Sequence, residues 1–531
     1  MKPLLAMLLL GTLFCRASYA AVDPLARVEE LLADWQLVQA GSLLQKQPDS
    51  PATWWVEAWV EFHKGDHPKA RQLADRAVEA MGPAPQTKQR LELIRAMDRI
   101  TTGFVQYRSP DGRVVIQYAP GVDEVVLPYV EDAVRRTLKV VGRDLGHEVE
   151  HPVLVQLLPN AEALASATGL SAEEIATSGT IAVCKYNRLM IISPRATLRG
   201  FGYLDTASHE LVHLIISEKT HNRTPIWIHE ALAKYEESRW RSDEPDHRTG
   251  LHPLRATRLR RAVTEDRLVS FEQMHPSMAL LPSAEAAELA FSEVYTVTEF
   301  LLARKGYEGI RALLEGLAQK RPGVELVGEL DNLRTRKAMG GKSEGERRLS
   351  AMRRVDLRDH FHLGQLLRAR GRTRASVVEY QKAQQKAGSK HVASFVIQDK
   401  LGLALLALGH DEGARQAFSA SLLVQPDGLE AHLHLGQLQI SENPAAAYLN
   451  LRQALRINPL DPRVHVAMMR LTERRLKDGD EGRNWQGLVE RHARALLLIR
   501  NHAQSVTQGI KGMDSGPGSV SSGMNGTTWS K

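Results

Sequence analysis

The chain has 531 residues, 43% hydrophobic and 5% aromatic, and a formal charge of +7. That length exceeds one ordinary domain and predicts two to four, and the low aromatic share with abundant Ala and Leu predicts mostly helix. A charge this small for the size, with arginines spread along the chain, argues against a nucleic-acid-binding class.

Residues 1–20 read as a secretory signal peptide. Met1-Lys2 gives the positive start, Leu4 to Phe14 the apolar core, and Ser18-Tyr19-Ala20 a small-x-small cleavage site. That core is too short to span a bilayer as a helix, and Phe14 is too bulky for lipidation at Cys15. After cleavage Cys184 is the single cysteine, so no intrachain disulfide is expected. No other apolar stretch is long enough to cross a membrane. The expectation is a bacterial protein exported to the periplasm or beyond the cell.

Residues 21–101 predict a helical module. Trp54, Ala58, Gly65, Ala70, Ala74 and Ala77 fall at the spacings of a tetratricopeptide repeat, with Gly82-Pro83 closing it. Val28 to Gln45 reads as one preceding helix, half of a degenerate partner repeat. A plain helical hairpin fits the same residues.

At Phe104 the period changes. Val114–Tyr118 and Val153–Leu158 are short, β-branched and bounded by turns, as strands are, with a helix over Glu131 to Leu145 between them. Residues 180–184 and 189–193 predict a hairpin around Lys185–Arg188. The 189–193 segment or its neighbour is the expected sheet edge, where an extended peptide could pair by β-augmentation. The same strands would serve equally as plain core.

The chemistry concentrates in Ser208-His209-Glu210-Leu211-Val212-His213-Leu214-Ile215. In this H-E-x-x-H pattern, residues four apart share one helix face, so His209 and His213 can meet one ion. Neutral imidazole suits zinc, and a catalytic zinc takes three protein ligands plus an open position. Glu210 lies beside the first histidine, where a carboxylate can take a proton from water. The apolar flanks predict a buried helix, ended by a turn at Ser217–Asn222. A second apolar run, Pro225-Ile226-Trp227-Ile228-His229-Glu230-Ala231-Leu232-Ala233, carries Glu230 seventeen positions after His213 (230 − 213). A carboxylate inside such a run is costly unless paired or metal-bound, so Glu230 is the expected third ligand.

These two segments resemble the gluzincin zinc metallopeptidases, specifically the peptidase MA-like group often fused to tetratricopeptide repeats. The resemblance covers roughly residues 104–320. That family usually has W-x-x-E-G-x-A, and Ala231 stands here in place of the glycine. It implies one zinc held by His209, His213 and Glu230, with Glu210 as general base. A later helix beginning at Ala290 and closing at Lys305-Gly306-Tyr307 carries Tyr295, which the resemblance suggests as a phenol steadying an oxyanion. A packing tyrosine is the alternative there.

Residues 329–356 read as a basic linker. Three repeats follow. Leu363-Gly364, Gly371, Tyr380 and Ala383 mark the first; Leu401-Gly402, Gly409, Ala414, Phe418 and Pro426 the second. Leu435-Gly436, Ala447, Leu451, Ala454 and Pro459 mark the third, one residue short at its turn. Gly402 and Gly436 are 34 apart (436 − 402), the tetratricopeptide period. Residues 462–500 predict a capping helical region, which brings the repeat module to 357–505, and 506–531 a disordered Gly/Ser-rich tail.

The expected fold is an α+β zincin-like metallopeptidase domain over 102–328, a mixed sheet plus active-site helices, flanked by all-α tetratricopeptide-repeat solenoid modules. The expected function is hydrolysis of peptide or protein substrates, with the repeats recruiting a protein partner. The alternative is a repeat scaffold for envelope or secretion-complex assembly with a non-catalytic metal site.

Overall fold

The computed structural model describes residues 23–82, 84–171, 173–175, 180–196, 202–241, 251, 253–275, 277–319, 355–388, 394–480 and 482–514. The expected signal peptide, Cys15, the linker up to 354 and the tail from 515 lie outside them. No described helix is long and apolar enough to cross a membrane.

The described residues begin with five helices: α1 (Pro24–Ala33), α2 (Leu37–Leu44), α3 (Pro51–Lys64), α4 (His67–Met81) and α5 (Pro85–Thr101). The single helix expected over Val28 to Gln45 is two, because Trp35 takes a left-handed backbone (φ 60°) between α1 and α2. Ser50 caps α3 by accepting from Thr53 N at 3.2 Å, and Asp66 caps α4 by accepting from Lys69 N at 3.1 Å. Between α3 and α4 sits Gly65, also left-handed (φ 82°). A Cβ there would come within 2.4 Å of Leu154, so only glycine lets this turn approach the sheet.

That sheet has five strands in the order β1 (Val105–Arg108), β2 (Val114–Tyr118), β3 (Val153–Leu158), β5 (Arg188–Ile192), β4 (Ala182–Lys185). The β2/β3 and β3/β5 pairs are parallel, with α6 (Leu127–Leu145) and α7 (Ala161–Thr168) as the crossovers; the outer pairs are antiparallel. Strand β1 was not expected from the sequence. Tyr186 and Asn187, both at positive φ, close the β4–β5 hairpin as a two-residue turn. The 189–193 segment is therefore interior, and its neighbour β4 is the edge.

One face of the sheet packs on α6, α8 (Tyr203–Thr220) and α9 (Ile226–Glu236), around Ile116, Val155, Leu189, Leu211 and Ile215. The other face packs on α3, α4, α5 and α7, where Phe62, Ala70 and Met97 meet Leu158 and Met190. Helices α3 to α5 thus share a core with the sheet, while α1 and α2 pack on the other side of α3 in a separate cluster around Leu32, Ala40 and Val60. Buried Arg188 joins the two, donating to the Phe62 carbonyl with its guanidinium 4.4 Å from the Phe62 ring.

His63 lies in this junction, 6% exposed and bonded to Asn187 at 2.7 Å. Burial, aided by Arg188 and Arg90 and only partly opposed by that bond, lowers its pKa to about 3. The unfolded chain therefore takes up a proton at His63 below about pH 6.5 that the folded chain refuses until about pH 3. Stability from this group is complete above pH 6.5 and falls by up to about 1.4 kcal/mol per pH unit on acidification. Unfolding free energies from urea titrations at pH 7.5 and 4.5 are expected to differ by about 2–3 kcal/mol less in His63→Gln than in the wild type.

After α10 (Pro253–Thr264) comes α11 (Ala284–Ala318), broken at Gly306 (φ 60°, ψ −171°). From Val355 onward helices pair as α12 (Val355–Ala369) with α13 (Thr373–Ala387), α14 (Ser394–Leu406) with α15 (Asp411–Val424), and α16 (Leu429–Gln439) with α17 (Pro444–Ile457). Each pair closes on one small-to-large contact: a Cβ at Gly364, Gly402 or Gly436 would lie 2.6–2.8 Å from Tyr380, Phe418 or Leu451. A last pair, α18 (Pro462–Lys477) and α19 (Trp485–Asp514), follows, so helix continues to 514 where a disordered tail was expected from 506. The C-terminal pairs touch the sheet-bearing region: Arg456 bonds Asp132 at 2.7 Å, and Arg241 bonds Asp427.

Candidate metal centre

Helix α8 runs under the sheet with Leu211, Val212, Leu214 and Ile215 fully buried. It is fixed from its polar side by Ser208, whose hydroxyl accepts from Thr137 at 2.9 Å. Its end is later than expected. Helix persists through Thr220, and then His221 and Asn222 both take left-handed backbone, with Asn222 N donating to Ser217 O at 2.8 Å. Pro225 then starts α9, which returns alongside α8.

This return brings Glu230 to the two histidines. His209 Nε2 and His213 Nε2 are 3.2 Å apart, and Glu230 Oε2 is 3.3 Å from the first and 3.5 Å from the second. A tetrahedral ion with ligands at about 2.0–2.1 Å holds its ligand atoms about 3.3–3.4 Å apart, which these spacings match. Glu230 Oε2 is buried with no aligned hydrogen-bond partner among the described residues, and it forms the third corner of this triangle. The three residues fit zinc.

The electrostatics agree. Burial opposes ionisation of Glu230, but His213 and His209 outweigh it and hold the carboxyl well below the usual range. Burial likewise opposes charge on His209, yet Glu230 and Glu237 raise it to about 10. The cluster stabilises positive charge at its centre, which a divalent cation supplies.

Each histidine is oriented by a further residue. Glu237 Oε2 lies 3.4 Å from His209 Nδ1, while its other oxygen, Oε1, accepts from Lys234. His229 Nδ1 lies 3.3 Å from His213 Nδ1; burial, then His213, lowers His229 to about 3, so it is neutral and able to accept from a His213 Nδ1–H. Such contacts leave Nε2 as the ligand nitrogen. Neither orienting residue was identified from the sequence. Glu237 had a signal, being two helical turns after Glu230; His229 had none beyond its place beside a ligand.

Glu210 is 7% exposed on the cleft side of α8 and accepts from the Cys184 amide of edge strand β4. Burial raises its pKa, partly opposed by His213 and His209. A carboxylate shifted upward is a better base near neutral pH. The cleft holds about 1020 Å³, and residues 181–185 of the β4 edge, the three ligands and Phe291 line it.

Tyr295 is 4% exposed and packs at 5.2 Å from the Tyr235 ring, one helical turn after the cleft-lining Phe291.

Two antiparallel helices presenting two histidines and a glutamate beneath a mixed sheet resemble the zincin-like peptidase arrangement. Residues 133–325 match the model of the Peptidase MA superfamily, a stretch of 193 residues (325 − 133 + 1) that contains His209, Glu210, His213 and Glu230. That match supports a metallopeptidase. Among solved structures the chain is similar to one described as yeast LTA4 hydrolase in complex with Bestatin, at 10% identity and a TM-score of 0.30. The alignment covers 75% of this chain and 66% of that one, under two thirds of its length, and so weak a likeness carries no argument about activity. No curated protein matches the chain.

Proposed function

We propose that the protein is a gluzincin-type zinc metallopeptidase, exported by residues 1–20, that cleaves peptide bonds in a cleft between β4 and the ligand helices. The observation that carries this is the triangle of His209, His213 and Glu230 with a buried carboxylate beside it that is not a ligand. Zinc held there supplies a Lewis acid for the scissile carbonyl and makes water acidic enough to attack near neutral pH. Glu210 takes the proton of the attacking water and passes it to the leaving amine. The free edge of β4 aligns the substrate backbone through main-chain hydrogen bonds. The helical pairs from 355 onward serve as tetratricopeptide-type repeats that take a protein partner.

The test is hydrolysis of an unstructured protein by the purified chain, before and after chelation. Activity is expected to fall to background on zinc removal and to return with about one equivalent of zinc. A rate indifferent to chelation sinks the reading.

A further inference from the structure

The turn between α1 and α2 enters the cleft. Trp35 lines it, although 174 positions separate this residue from His209 (209 − 35). Its left-handed backbone, φ 60°, is a conformation that a bulky L-residue rarely adopts and that needs its surroundings to hold it. Those surroundings are specific. Asp34 Oδ2 accepts from Arg223 Nη2 at 3.0 Å, and Gln36 Nε2 meets His221 Nδ1 at 2.8 Å. Both partners belong to the turn joining the two ligand helices. The residues on either side of Trp35 are thus latched to the metal-bearing unit while the indole, half-buried against the sheet core, keeps a surface toward the cleft.

Held strain at a cleft wall is a mark of preorganisation. His221 lies eight residues after His213 (221 − 213), about 12 Å along α8 at 1.5 Å per residue. An extended peptide advances about 3.3 Å per residue, so Trp35 stands some three to four residues from the bond cleaved. Pro225 and Ile226, just past Arg223, line the same cleft and add apolar surface.

We propose that Trp35, delivered by the N-terminal helices, is a specificity-determining residue: its indole walls a subsite for a bulky apolar side chain of an extended peptide. This rests on the peptidase reading above. The substrate class is then peptides long enough to reach three to four residues beyond the scissile bond, with an aromatic or long aliphatic side chain there. The N-terminal helices become part of the substrate cleft.

The experiment uses the full zinc-loaded chain and peptides of one length, carrying Phe, Leu or Ser at the second to fifth position on either side of the cleaved bond. The wild type is expected to prefer Phe or Leu over Ser by about 10–100-fold in kcat/KM at one position, as burial of a large apolar side chain gives. In Trp35→Gly this ratio is expected to collapse to about one. Glycine adopts the left-handed backbone freely, so this variant is expected to melt no lower than Trp35→Ala. On a Glu210→Gln background the same loss of discrimination is expected in peptide affinity by calorimetry. A merely structural tryptophan would slow every peptide alike and leave the ratio standing, which overturns the proposal, as does a wild type without apolar preference. If the wild type cleaves no peptide, the peptidase reading itself fails and this inference with it.

Discussion

Glu210→Gln is expected to keep its zinc and its fold and to lose about 10²–10⁴-fold in turnover of a peptide substrate. Glu210 is not one of the three converging ligand residues, so the amide leaves the ion's coordination unchanged. The amide oxygen can still accept from the Cys184 backbone, as the carboxylate does. What disappears is the only feature the amide cannot copy, a site that takes up and returns a proton. Stability should hold or rise slightly, because burial already disfavours the charged form of Glu210. Hydrolysis rate, zinc content and melting temperature measured on the same samples decide the matter. Equal hydrolysis by both proteins at equal zinc would defeat the mechanism. A scaffold with an inert ion predicts no turnover from either protein.

His213→Ala should act on the other half of the site. It removes one of three ligands and leaves the buried Glu230 carboxylate facing His209 alone. Zinc occupancy is expected to drop from about one per chain to near zero at micromolar protein. The affinity loss should exceed the ~10–100-fold typical of losing an orienting partner behind a ligand. Because only the folded chain presents the triangle, bound zinc adds stability that grows with the ratio of free metal to dissociation constant. Chelation is therefore expected to lower the wild-type melting temperature and to leave that of His213→Ala where it was. Full zinc content in the variant would mean that the ion sits elsewhere.

The convergence of His209, His213 and Glu230 was readable because helical periodicity does the geometry. Residues 209 and 213 must share a face wherever their helix lies, and seventeen residues are enough for a turn and a return carrying Glu230. Even the shortened third repeat was visible: Gly436 meets Leu451 fifteen residues on, where Gly364 and Gly402 meet Tyr380 and Phe418 sixteen on.

Other features depended on tertiary contacts. The edge strand depended on pairing order: β5 joins β3 in parallel, and this buries the strand next to the turn and exposes β4. Glu237 and His229 became orienting groups only when α9 folded back along α8.

The sequence by itself determined which three side chains could converge on one ion, the helices that carry them, and the helix pairs that follow residue 355, because each depends on spacings within about forty residues. Tertiary structure alone decided which strand lies open, what orients the histidines, and that Trp35 reaches the cleft from a helical module 174 positions upstream (209 − 35). Those outcomes follow from how apolar faces bury against one another: α1 and α2 pack on α3 around Leu32 and Val60, α3 to α5 close over the sheet at Phe62 and Met97, and the turn between α1 and α2 is thereby brought to the ligand-bearing helices.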